Sequence, residues 1–345
     1  MRHEGIDVDL RLPLKKDLSN LFKNANWAYL IDPGAFEEST YRSQLHVPAV
    51  SFSSPREQHD TVNLMMDRIL GSLPDLSRED LAAIEWAINE ITDNVLTHSE
   101  SKVGGIVQMS NMRARNRVEF AVSDAGMGIP RTLRATHPEL RSDTEALDRA
   151  IREGVTRDPA LGQGNGLFGT FQITRLSEGY FHVHSGYARL DFDRSVHIRT
   201  ENVPCKGTLV VACIDRSKQT ALSEALRFGG QLHRPIDYVE MRFEADRPAS
   251  LRFLLHEEAA SFGSRVAGNP VRIKLENLLR MHPSSRITID LSQVPICSSS
   301  FADEVFGKLF VSLGAVQFMQ RIELRGLSST IQSLIDRAIL QRSSN

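Results

Sequence analysis

Four short segments of the chain combine residue types and spacings that could do chemistry. The first is Glu90-Ile-Thr-Asp-Asn94, with a carboxylate and an amide four residues apart. On a helix that spacing puts both on one face. There the carboxylate could orient a water or hydroxyl, and the amide oxygen could help hold a hydrated Mg²⁺. The second is Asp124-Ala-Gly126-Met-Gly128. Its carboxylate could accept a hydrogen bond from an amino group, and its glycines let backbone approach a ligand closely. The third, Gly162-Gln-Gly164-Asn-Gly166-Leu-Phe-Gly169, would expose backbone N–H groups at a helix start, a favourable place for phosphate. The fourth is Gly207-Thr208, opening an apolar run. Taken singly, each also describes something ordinary: a solvated helix face, a strand-ending turn, a glycine-rich connection, a strand start.

The elements that must position them are legible in the periodicity. A helix is expected over 57–71, ended by Gly71 and Pro74. A second starts at Ser77 with Asp80 three residues on, a capping signal. It buries Leu81, Ile84, Ile88, Ile91 and Val95 as one stripe. Strands come next over 105–111 and 117–123, the latter alternating Val118, Phe120 and Val122 with Glu119 and Ala121. Residues 130–161 are polar, with one short helix capped at Ser142 and ended by Gly154. The glycine-rich loop opens a helix running to about Ser177, and strands near 180–192 and 207–214 close the unit. Residues 1–55 read as a small irregular element packed on the domain that starts at 56. Beyond Asp215 the pattern restarts as a smaller α/β unit. The expected order there is a helix, a strand near 237–244, helices near 251–263 and 270–281, a strand at 287–291, a helix at 299–313, a strand at 321–324 and a helix at 328–340.

Composition excludes several classes. The 345 residues suit about two domains. With 41 Lys+Arg against 43 Asp+Glu, the formal charge of −2 offers no electrostatic footprint for nucleic acid. The longest apolar run, Leu209–Ile214, cannot cross a membrane, and the N-terminus has no secretory apolar region. Cys205, Cys213 and Cys297 form no CxxC pair, so a reducing, cytoplasmic location is expected. Two other phosphate motifs fail. Gly164–Gly169 satisfies GxGxxG, but the preceding Arg157–Leu161 is no strand. Thr170 stands where a Walker lysine would come after the last glycine.

Taken in order within about 120 residues, the four segments resemble the ATP-binding domain of gyrase B subunits, histidine kinases, mismatch-repair ATPases and anti-sigma-factor serine kinases, the Bergerat or GHKL superfamily. The resemblance covers roughly residues 56–215. It implies an α/β sandwich, a mixed sheet covered by helices, that binds ATP and Mg²⁺. Carried over by residue, Asn94 would be the Mg²⁺ ligand and Glu90 the general base. Asp124 would hold the adenine amino group, with Gly126 and Gly128 lining the adenine side and Thr208 supporting it. Gly162, Gly164 and Gly166 would face the phosphates, and 130–161 would be a mobile lid. His98 matches a position often occupied by His in the anti-sigma-factor kinase branch. Neither His59 nor His256-Glu257-Glu258 fits the context of a histidine autokinase acceptor. Many members are dimers, so a homodimer is an expectation of the resemblance, although no pattern marks an interface.

The segment Ile289–Phe306, IDLSQVPICSSSFADEVF, looks like the STAS-like domain found fused to such ATP domains. It is also similar to anti-sigma-factor antagonists, in which a serine at the helix start accepts phosphate. On that alignment Ser299 is the phosphoacceptor position, although Ser298 replaces an acidic residue and Phe301 a small one. Ser298–Ser300 equally suit a helix N-cap. The domains expected are thus 1–55, an ATP-binding domain at 56–215 and a STAS-like domain at 230–345. The function expected is a Mg-ATP-dependent ATPase or serine-kinase-like switch acting on a regulatory protein partner. The alternative is a nucleotide-gated protein-binding module with negligible turnover.

Overall fold

The computed structural model describes residues 8–41, 43–152, 154, 166–217, 227–228, 231–232, 237–244 and 250–343. The chain divides into two compact units, Met1–Met65 with Ala83–Arg234, and Met66–Ala82 with Pro235–Asn345. The division differs from the one expected, because residues 66–82 join the C-terminal part. Asn277, almost fully buried, donates to the Leu70 and Leu73 carbonyls at 2.9 and 2.8 Å and accepts from the Leu76 N–H at 3.1 Å. One side chain thus satisfies backbone groups at a helix end and in the turn after it.

Up to Asp215 the elements are α1 (Lys16–Asn24), α2 (Trp27–Ile31), β1 (His46–Phe52), α3 (Pro55–Ser72), α4 (Arg78–His98), β2 (Gly105–Met112), β3 (Arg117–Asp124), α5 (Ile129–Arg134), α6 (Asp143–Ala150), α7 (Gly166–Leu176), β4 (Tyr180–Phe192) and β5 (Val196–Asp215). The strands form one sheet in the order β1-β2-β3-β5-β4, every neighbouring pair antiparallel. Val107, Val118, Phe120, Val122, Phe181, Val183, Val210 and Ala212 fall on its buried face, as a two-residue period requires. The five residues of the α4 stripe are all buried. Ser77 caps α4 by accepting the Asp80 N–H at 3.0 Å.

Three expectations need correction here. The N-terminal segment is not irregular throughout, since it supplies α1, α2 and the edge strand β1. Asn26, at φ 67°, turns the chain so that its Nδ2 donates to the Ala49 carbonyl at 2.9 Å, and Trp27 donates to Gln108 at 2.7 Å. The hairpin of β4 and β5 extends through 196–206, which the sequence hid because its residues are mostly polar and exposed. The stretch from 130 to 150 holds the expected helix capped at Ser142, α6, and a second short helix before it, α5, which was not expected. Ser142 and Glu145 form a capping box, and Leu133, Ala146 and Leu147 are buried.

The second unit is a three-stranded parallel sheet, Ile322–Arg325, Arg286–Asp290 and Ser250–Leu254 in spatial order. Helices Arg265–Met281 and Ser329–Ser343 belong to it. The chain as a whole is therefore α/β with mixed strand directions, antiparallel in one unit and parallel in the other. Two assignments are exchanged relative to the sequence reading. Residues 237–244 hold a helix, Tyr238–Phe243, because Asp237 caps it by accepting the Glu240 N–H at 2.9 Å. Ser250–Leu254 is a strand with Leu251 and Phe253 inward, continued by the short helix Leu255–Glu258. Most of the helix expected just after Asp215 lies outside the described residues. Among the described residues no helix is long and apolar enough to cross a membrane.

Candidate functional site

The sequence-derived residues of the first unit gather on the buried side of the sheet, in two groups joined by α4. One group is Glu90, Asn94 and Gly166. The i,i+4 spacing places the carboxylate and the amide side by side on α4, both half-buried. Gly166, the first residue of α7, lies directly over them. A Cβ there would stand 2.5 Å from Glu90 Oε2 and 3.5 Å from Asn94 Nδ2. Burial, joined by repulsion from the Asp93 carboxylate, pushes the Glu90 carboxyl up to about 7. Gly162 and Gly164 lie outside the described residues.

The other group surrounds Asp124. Its Oδ1 accepts the Gly126 N–H at 2.7 Å, and its carboxylate also accepts the Thr208 N–H. Burial nevertheless raises the Asp124 carboxyl above its ordinary range, the two N–H groups only partly offsetting it. Gly128, at φ 76°, has its Cα so close to β4 and β5 that a Cβ would meet Ser185 Oγ at 2.7 Å and the Gly207 carbonyl at 2.8 Å. No larger residue fits there without moving backbone. Register explains the convergence: Gly105 faces Asp124, Ser123 faces Leu209, and Thr208 faces Ser185. Asp124, Thr208 and Ser185 therefore share one face at one end of the sheet.

α4 links the two groups. The Ser99 carbonyl, just past the end of α4, accepts the Met127 N–H at 2.7 Å. At about 1.5 Å per residue, Asn94 and Glu90 lie roughly 7 and 13 Å along the axis from Ser99. The two groups are thus within the reach of one elongated ligand.

Two residues at this end were missed by sequence reasoning. Ser185 is fully buried, and its only sequence signal is a polar residue in the inward register of Phe181 and Val183. Asp143, the first residue of α6, accepts the Tyr187 N–H at 2.8 Å and pairs with Arg134. It fastens α5 and α6 to β4, and nothing in its local sequence announces this. His98 is half-buried at the end of α4.

In the second unit Ser299 is exposed and is the first residue of the helix Ser299–Ala302. The cap is Ser298, whose Oγ accepts the Phe301 N–H at 3.1 Å. The helix then passes into a π-helical turn, Asp303–Gly307, and breaks at Gly314. Arg265, Arg342 and Lys308 crowd this turn, paired with Asp303 and Glu304.

Residues 267–332 match a family described as a STAS-like domain of unknown function. The C-terminal unit is STAS-like. The match covers the helix Arg265–Met281 almost entirely, the strands Arg286–Asp290 and Ile322–Arg325, and the serine-capped helix between them. No curated protein matches the chain.

Proposed function

We propose that the first unit binds Mg-ATP in the manner of the GHKL superfamily and that the STAS-like domain delivers the outcome to a regulatory protein partner. The observation that carries this reading is the convergence of segments far apart in sequence onto one end of one sheet face. Asp124 is pinned by Gly126 and Thr208, and Gly166 covers Glu90 and Asn94. The donor set suits the ligand. Asp124 is an acceptor for an exocyclic amino group. Gly126 and Gly128 let the loop after Asp124 pack directly on Ser99 and Gly207, where side chains would collide with backbone, and the N-terminus of α7 favours phosphate.

Bound Mg-ATP would supply a phosphoryl group activated for transfer. Asn94 would hold the metal through its amide oxygen, the remaining ligands being oxygens that the nucleotide and water bring. Among the described residues no cluster of three or more His, Cys, Asp or Glu could bind a metal on its own. Glu90, with its carboxyl up at about 7, would take a proton from a water or hydroxyl near neutral pH, where general bases work best. Gly166 keeps the space over that carboxylate open. Ser299 is the acceptor this reading offers within the chain itself, exposed at a helix start.

The test tracks the terminal phosphate of labelled ATP, with Mg²⁺, in wild type and Glu90→Ala. Label released or transferred by wild type and lost in Glu90→Ala supports the ATPase or kinase form. Label on the chain that vanishes in Ser299→Ala identifies the acceptor. Nucleotide bound with no phosphate moved, in either protein, replaces turnover with the nucleotide-gated binding module.

A further inference from the structure

The fully buried Ser185 hydroxyl makes three contacts, each to a part of the Asp124 end of the site. Its Oγ donates to the Gly207 carbonyl at 2.8 Å, accepts the Ile129 N–H at 2.9 Å, and lies 3.1 Å from Thr208 Oγ1. A hydroxyl has one proton to give and two lone pairs to receive. The proton goes to Gly207 and one lone pair is taken by Ile129. The remaining lone pair can only receive, so the Thr208 hydroxyl must be the donor in the third contact. Its proton is thereby committed to Ser185. What Thr208 presents to its other side, beside the acceptor-only carboxylate of Asp124, is an oxygen lone pair.

We propose that Ser185 is a positioning residue that fixes the Thr208 hydroxyl as an acceptor, so that Thr208 and Asp124 together select a base edge bearing an amino group over one bearing a carbonyl. The proposal rests on the nucleotide reading and adds to it the residue that sets base preference. A carbonyl at the same place meets two acceptors and no donor. A mispaired buried polar edge of this kind is what gives hydrogen-bonding sites their large discrimination. Ser185 does this without touching the base. It also ties the loop after Asp124, through Ile129, to the β5 strand that carries Thr208. The hydroxyl is held by two separate segments, β5 and the start of α5, so its orientation does not depend on a ligand being present.

The experiment measures equilibrium binding of Mg-ATP and Mg-ITP to the full chain. The two ligands differ only along one base edge: ATP carries an amino group at the six-position beside an acceptor N1, and ITP a carbonyl beside an N1–H. Proteins compared are wild type, Ser185→Ala, Thr208→Val and the double variant, with melting temperature recorded for each. Wild type is expected to prefer ATP. Ser185→Ala and Thr208→Val should each lower that preference by roughly tenfold, the worth of one hydrogen bond. The double variant should lose no more than either single one, because both remove the same oriented hydroxyl. Should Ser185→Ala not fold, Thr208→Val alone decides, since it is half-exposed and isosteric. A folded Ser185→Ala with unchanged ATP:ITP preference overturns the proposal while the nucleotide reading stands. So does Thr208→Val with unchanged preference, or losses that add in the double variant. A wild type that binds neither nucleotide overturns the nucleotide reading and this proposal with it.

Discussion

Replacing Glu90 with Gln should stabilise the protein, and increasingly so as pH rises from about 4.5 to about 8. The carboxyl moves from its ordinary 4.5 to about 7 on folding, chiefly through burial on α4 beneath Gly166. Because the folded value is raised, the folded chain holds the proton more tightly than the unfolded chain. Stability is therefore lost as pH climbs from 4.5 through 7, and the loss is complete above about 8. Each tenfold difference in proton affinity corresponds to about 1.4 kcal/mol, so the ionised carboxylate costs up to about 3 kcal/mol. Allowing for its partial exposure, about 2 kcal/mol is a fair expectation. Gln keeps the shape and never ionises. Glu90→Gln should thus melt roughly 4–8 °C above wild type at pH 8.5. At pH 5 the difference should fall below about 1 kcal/mol, because the folded carboxyl is already neutral. Calorimetric melting across that range is the assay. A pH-independent difference, or destabilisation at pH 8.5, would refute the assignment of Glu90 as a buried carboxylate raised by desolvation. The confirming result would also mean that the chain sacrifices stability to keep an ionisable group where the proposed chemistry needs it.

Other consequences are testable in the same way. Gly166→Ala should fold, because the atom its Cβ meets is the movable end of Glu90; phosphate release should fall at least tenfold while the melting temperature stays within a few degrees. Ser142→Ala should cost about 1 kcal/mol in denaturant unfolding, since it removes the capping box of α6. In the second unit, Lys274→Ala should destabilise by about 3 kcal/mol, because it strips a partner from the buried Glu258, 2.8 Å away, and from Asp67. Lys274→Met together with Glu258→Gln should recover part of that loss if desolvated charge is the cause. Phe253→Ala should cost about 3–5 kcal/mol, since its ring is fully buried and stacked on Phe243.

Elements with strong periodicity were legible in the sequence. The stripe of α4, the alternation of β3 and the serine caps at Ser77 and Ser142 each arise from local rules, and the structure has them. The failures have physical causes as well. Tyr238–Phe243 alternates large and polar residues as a strand would, and only the Asp237 cap makes it a helix. Ser250–Leu254 is strand because Leu251 and Phe253 fill a parallel sheet whose partner strand lies over thirty residues away. The polar extension of the β4–β5 hairpin carries no apolar signal at all. Of the site, the residues with glycine or carboxylate signatures could be found, because close approach and ionisation demand those types. Ser185 could not. A buried serine is unremarkable until the register of two strands and the start of α5 bring three backbone and side-chain partners onto its one hydroxyl.

The most direct test of the central claim is calorimetric titration of the full chain with Mg-ATP, in parallel with Asp124→Asn. Wild type should bind one nucleotide per chain. Asp124→Asn should lose that binding, because its amide replaces one acceptor oxygen with a donor while the fold, read by melting, stays intact. Absence of binding in wild type, or equal binding in the variant, would contradict the nucleotide reading.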